Sequence, residues 1–181
     1  MKKVFGLLVC LALFFACNDS KTAEKTETNA ETPTPSSKDY ELGDDKFVEI
    51  GKKAIASLER GDIDDWAASY ADNAVYRWNN FDSLAGKAAI TDYWKKRRAD
   101  IIDSMSFTSQ IWIPMKVNKP LAEGQATGNY ALYWYVVYAK YKTGKSMKQR
   151  MHMVFHFDDN DKIDRVTQYL DRMPVNAAME N

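Results

Sequence analysis

Gly61-Asp62-Ile63-Asp64-Asp65-Trp66-Ala67-Ala68-Ser69-Tyr70-Ala71-Asp72-Asn73-Ala74-Val75-Tyr76 reads as the end of one helix, a second short helix, a turn and the start of a strand. Gly61 suits the left-handed position just past a helix, and Asp62 caps the helix that follows. Ile63, Trp66, Ala67 and Tyr70 recur at helical spacing. Asp72-Asn73 then turns the chain into a strand over Ala74 to Trp78. The carboxylates of Asp62, Asp64 and Asp65 stand where capping and the helix dipole favour negative charge, which explains them without a bound cation.

Upstream of this stretch, Phe47, Ile50, Ala54 and Leu58, widened by Val48 and Ile55, predict a first helix capped by Asp44. Downstream, a loop over Asn79 to Gly86 leads to a third helix, Lys87 to Arg98, with Ala89, Ile90, Tyr93, Trp94 and Arg97 at helical spacing. The remainder is strand-like: Met105 to Val117, Ala126 to Lys142, Lys145 to Asp158 and Lys162 to Asp171. Thr143-Gly144 and Asp159-Asn160-Asp161 are hairpin turns. Pro114 removes a ladder donor and places an edge or bulge in the first long strand. Helices first and consecutive strands after, with no βαβ alternation, define an α+β domain with its helices on one side of a curved antiparallel sheet.

The 181 residues, 45% hydrophobic and 13% aromatic, suffice for one domain with a real core. Lys plus Arg and Asp plus Glu balance at 25 each, so no broad basic surface exists and nucleic acid is excluded as a partner. At the N-terminus, Lys2-Lys3 precede an apolar run from Val4 to Ala16 that is too short for a membrane span but suits an export signal. Ala16-Cys17 closes it in the manner of a bacterial lipobox, with Phe14 where leucine is usual. Cys10 falls inside the expected signal, which leaves Cys17 as the expected one cysteine of the mature chain and site of lipidation, with a Cys10–Cys17 disulfide or a plain secretory signal as the alternatives. Asn18 to Asp39, rich in Thr, Glu, Lys, Ser and Pro, cannot bury enough surface to offset its ordering entropy. The expected division is a lipoprotein signal peptide (1–16), a lipidated cysteine and disordered tether (17–43), a folded domain (44–173) and a C-terminal tail (174–181). The expected location is the bacterial cell envelope, outside the cytoplasm and anchored to a membrane by lipid.

Three stretches carry a family likeness. Gly61 to Tyr76, Gly86-Lys87-Ala88-Ala89-Ile90-Thr91-Asp92-Tyr93-Trp94 and His156-Phe157-Asp158-Asp159-Asn160-Asp161-Lys162-Ile163 resemble, in order, the second helix and first strand, the third helix and the final hairpin of the nuclear-transport-factor-2-like (NTF2-like) superfamily. That superfamily includes ketosteroid isomerase, SnoaL-like polyketide cyclases, limonene-epoxide-hydrolase-like enzymes and non-catalytic binders. The resemblance implies a cone: three N-terminal helices packed on the curved sheet around an apolar pocket, often in a homodimer. Carried over by position, the general base of ketosteroid isomerases falls on Trp78, their oxyanion-stabilising tyrosine on Ala54, and the acid/base aspartate of the cyclases on Gln168. None of these side chains can exchange a proton.

The expected pocket is therefore aromatic and non-catalytic, drawn from Trp66, Tyr70, Tyr76, Trp78, Trp94 and Gln168, with plain core packing as the alternative for the aromatic rings. The expected occupant is a small apolar or aromatic ligand or a protein partner, with no cofactor, no metal and no catalytic residue. An enzyme of the same fold using Asp82, Tyr76 and Asp171, and a structural role through the sheet face, are the alternatives. His152 and His156 alternate onto the polar face of one strand about 13 Å apart, too far to share a metal ion. Lys142-Thr143-Gly144-Lys145-Ser146 ends like a phosphate-binding loop, but it joins two strands and has Ala139 in place of the earlier glycine. The strand Ala126 to Lys142 is aromatic on both faces, Tyr130, Trp134 and Tyr138 against Tyr133, Tyr135 and Tyr141, so a cover for the second face is expected. A homodimer is the simplest cover; a partner protein and amphipathic tyrosines at the surface are the others.

Overall fold

The computed structural model describes residues 38–120 and 122–180. The expected signal, Cys17 and most of the tether lie outside these residues. The order of elements is β1 (Tyr40–Leu42), α1 (Lys46–Arg60), α2 (Ile63–Ala67), β2 (Tyr70–Trp78), β3 (Ser83–Ala85), α3 (Lys87–Asp100), β4 (Ile102–Val117), β5 (Gly128–Tyr141), β6 (Ser146–Phe157), β7 (Ile163–Tyr169) and α4 (Arg172–Met179).

α1 forms as its spacing demands, with Phe47, Val48, Gly51, Ala54, Ile55, Ser57 and Leu58 buried along one face. Its start is held by the Asp44 carboxylate, which accepts from the Lys46 amide at 2.8 Å. Its end is Gly61 at φ 80°, whose amide donates back to Leu58 and Ser57. Gly51 lets the helix press on the sheet, since a Cβ there would stand 2.6 Å from the Trp112 ring. Asp62 caps α2 by accepting from the Asp65 amide, and Asp65 in turn accepts from the Ser57 hydroxyl at 2.5 Å. Asp64 pairs with Lys95 of α3 at 2.7 Å. Asp62 thus caps its own helix, while Asp65 and Asp64 bind α2 to α1 and to α3.

The strands form one seven-stranded sheet in the order β1-β4-β5-β6-β7-β2-β3. It is curved and unclosed, as the cone implies. It is mixed rather than purely antiparallel: β2 runs parallel to β7, pairing Tyr76 with Val166 and Trp78 with Gln168. β2 also starts earlier than expected, at Tyr70, and the turn expected at Asp72-Asn73 is a register shift within it. Part of the expected loop after it is β3, antiparallel to β2. Tyr40–Leu42, expected within the tether, instead add β1 to the edge of β4 at residues 115–117. Pro114 lies where that short strand stops, and a separate bulge interrupts β4 between Thr108 and Ile111. Residues 174–179, expected as tail, belong to α4, whose Val175 and Ala178 are buried. Pro174 is tolerated because it sits in the first helical turn, where an amide has no helical acceptor.

The core lies between the helices and the inner face of the sheet. Trp112, Tyr133 and Tyr135 stack there at centroid distances of 3.8 and 4.3 Å, with Phe155 beside Trp112.

Candidate functional site

A cavity of about 90 Å³ opens where α3, α4 and the inner faces of β4 to β7 meet. α3 contributes Tyr93, Trp94 and Arg97, which share a face because residues three and four apart project the same way. α4 contributes Arg172, Val175, Asn176 and Met179. Alternation along β6 turns Met147, Met151 and Met153 inward, and Met105 of β4 joins them. Five of the eight methionines thus line one space. Their unbranched, polarisable side chains fit irregular contours and repack readily.

Of the residues expected at the pocket, Trp78, Trp94 and Gln168 line it. Trp66, Tyr70 and Tyr76 are packed behind it: Trp66 touches Tyr70 and Trp94 at 4.5 and 5.9 Å, and Tyr76 lies 5.0 Å from Trp78. Sequence reasoning missed Tyr93, Arg97, Tyr135, Arg172 and the methionines. The inward alternation of β6 was the available signal for Met151 and Met153. The three positions that align with catalytic groups in relatives are accounted for as well. Trp78 and Gln168 are register partners across β2 and β7, and Ala54 is fully buried in α1.

Two polar regions differ sharply in the lining. In the first, the Tyr76 hydroxyl donates to Gln168 Oε1 at 2.7 Å, Gln168 Nε2 donates to the Tyr135 hydroxyl at 3.1 Å, and Tyr135 donates to the Met151 thioether at 3.4 Å. Burial pushes the Tyr76 hydroxyl well above the ordinary tyrosine range, reinforced by Tyr70, Tyr135 and Tyr93 and opposed by Arg97. Burial raises Tyr135 too, against the hydrogen bond from Gln168. This network stays neutral.

In the second region donors lack acceptors. Trp94 is 6% exposed, and its Nε1 is buried without a hydrogen-bond partner among the described residues, as is Arg172 Nε. A buried donor left in that state costs about 1–3 kcal/mol. Arg97 leans over the Tyr93 ring at 5.6 Å, and its one close polar neighbour is the Met179 thioether at 3.9 Å, a weak acceptor. Arg172 covers Trp78 at 5.7 Å and reaches out to Asn80 at 3.0 Å and Asp82 at 3.5 Å.

Among the described residues the lining contains no Asp, Glu, His, Lys or Cys. Asp82 is exposed and held by Arg172, and Asp171 caps α4 by accepting from the Met173 amide, so neither faces the cavity with Tyr76. Among the described residues no group of three metal-capable side chains exists. His152 and His156 both point to the outer face. His156 is nonetheless buried, with Nδ1 2.5 Å from Asp164 and Nε2 3.0 Å from the Thr127 carbonyl. Thr143-Gly144 is a hairpin turn, with Gly144 at φ 87°.

Residues 52–166 match the model of the SnoaL-like domain. The chain belongs to the SnoaL-like family. Among curated proteins none matches it. Solved structures do. A candidate polyketide cyclase of Xanthomonas campestris is 18% identical, with 75% of this chain and 97% of that one covered at a TM-score of 0.59. A candidate isomerase of Bacillus subtilis is 22% identical over 74% and 92%, TM-score 0.58. An epoxide hydrolase of M. tuberculosis, like limonene epoxide hydrolase, is 14% identical over 74% and 89%, TM-score 0.57. Identities this low establish the shared fold, and for this SnoaL-like domain the chemistry must be argued from its own cavity.

Proposed function

We propose that this SnoaL-like domain binds a small, largely apolar ligand without transforming it, as the folded part of a lipid-anchored protein of the bacterial cell envelope. The observation that carries the binding reading is the composition of the cavity wall: methionines, aromatic rings, aliphatic residues, one amide-tyrosine network and two arginines. Such a wall can enclose and orient an apolar body. It carries no carboxylate, imidazole, amine or thiol among the described residues, burial raises its Tyr135 and Tyr141 hydroxyls, and arginine does not titrate near neutral pH. The anchoring rests on Lys2-Lys3, the apolar run and Cys17. Among the described residues no helix is long and apolar enough to cross a membrane.

At about 90 Å³ the cavity is smaller than the roughly 150 Å³ that admits benzene, so occupancy requires methionines or α4 to shift. Native mass spectrometry of the full chain purified from its host envelope tests the reading. The expected result is an added small-molecule mass that disappears in Ala139→Leu, which fills the cavity. A chain without added mass that also binds no apolar probe overturns it.

The outer sheet face supports a second element of the proposal, association of two copies. Ile111, Trp134, Tyr138 and Tyr169 are exposed there. A row of apolar and aromatic side chains of this kind is characteristic of an interaction surface.

A further inference from the structure

Trp94 and Arg97 stand one helical turn apart on the inward face of α3, and both lack what their chemistry calls for. The indole N–H is sequestered with no acceptor. The guanidinium forms no ion pair with any carboxylate among the described residues and touches a thioether instead. Arg172, on the opposite wall, adds a buried Nε with no partner, although its outer nitrogen is engaged by Asn80 and Asp82. All three side chains line the otherwise apolar cavity. The other polar groups of its wall, Gln168 and Tyr135, are satisfied by each other and by Tyr76 behind them. Edge-to-face contacts of Trp94 with the Tyr76 and Tyr93 rings offer its N–H only a weak π acceptor.

We infer that the ligand is an apolar monocarboxylate whose head group docks between α3 and α4, against Arg97 and the Trp94 N–H, in the place now held by the Met179 thioether. This rests on the binding reading above. The charge balance selects a monoanion: the lining carries two guanidinium groups, one already paired with Asp82, which leaves one positive charge uncompensated. The guanidinium fork matches the two oxygens of a carboxylate, and an indole N–H is a donor that such an oxygen accepts. The apolar body then lies among Met105, Met147, Met151 and Met153, which adapt to its shape. Met179 is the last residue of α4 and packs against the core, so displacing it couples head-group binding to the position of that helix.

The test is calorimetric titration of the full chain with 3-phenylpropionate and with 3-phenylpropan-1-ol, the same body with a neutral head. At neutral pH the acid is expected to bind at least about tenfold tighter, with a downfield shift of the Trp94 indole N–H resonance. Arg97→Gln is expected to remove most of the acid's advantage over the alcohol. Trp94→Phe, which keeps the ring packing, is expected to weaken the acid more than the alcohol and decides the matter if Arg97→Gln fails to fold. Acid and alcohol binding alike, or an acid preference that survives in Arg97→Gln, overturns the head-group inference and leaves the pocket reading intact. No binding of either probe to the wild type or to Trp78→Ala overturns both.

Discussion

β5 carries aromatic side chains on both faces, and the two faces behave as different materials. Inward, Tyr133, Tyr135 and Tyr141 are each at most 3% exposed and meet Trp112, Phe107 and the cavity. Outward, Trp134 and Tyr138 are exposed, and Trp134 stacks on His152, which stacks on Tyr169, at 4.4 and 5.6 Å across three strands. Residue type alone did not separate them. What separates them is which side the helices cover, a property of the whole sheet.

The contrast is broken most severely from inside. Phe155→Ala, at a fully buried position against Trp112, is expected to lower stability by about 3–5 kcal/mol in a urea titration, the range for emptying a packed aromatic site. Tyr135→Phe keeps the ring and removes one hydroxyl, leaving the Gln168 amide short of an acceptor; a loss of about 1–3 kcal/mol is expected in the same titration. A loss near zero would mean that the network relaxes.

The outer ladder should give the smallest effect. Trp134→Ala is expected to cost about 1 kcal/mol or less within one copy, the scale of a cross-strand pair, yet to abolish the self-association proposed above in sedimentation velocity. Acid sharpens the comparison at this site. His152 Nδ1 donates to the Tyr133 carbonyl, and partial burial lowers the pKa of its ring below 6.5, opposed by that hydrogen bond. The contribution of His152 is therefore present above about pH 6.5 and lost as pH falls through the depressed folded value, because the unfolded chain takes up the proton first. His152→Gln should flatten that acid limb. The buried tyrosines respond in the opposite direction: raised in the folded state, they lose their contribution as pH climbs above 10.

Much of this was legible in the sequence. The periodicity of α1, the Gly61-Asp62 junction and the two hairpin turns are local signals, and each forms where the local chemistry placed it. β3 carries no alternation long enough to register, and α4 is short with a proline in its first turn. The parallel pairing of β2 with β7 is invisible because no local pattern names a distant partner. For the same reason the cavity was half read. The aromatic residues Trp78 and Trp94 announce themselves by type, but the methionines come from β4, β6 and α4 and meet only in three dimensions. That Arg97 lacks a carboxylate is likewise a fact about its neighbours rather than about its own position.

The β2·β7 ladder also sets a condition on when the domain can exist. Tyr76 finds Gln168 92 positions later, so the wall that seals the core against β2 is synthesised long after β2 itself. Loop closure over that distance has to be met before the pairing returns any stability, which makes the final sheet slow to nucleate. A chain interrupted before residue 163 would present β2 with an open hydrogen-bonding edge beside exposed core. The domain is thus committed to its last strand: a chain that has not yet reached β7 carries the exposed apolar surface and unpaired edge that invite aggregation.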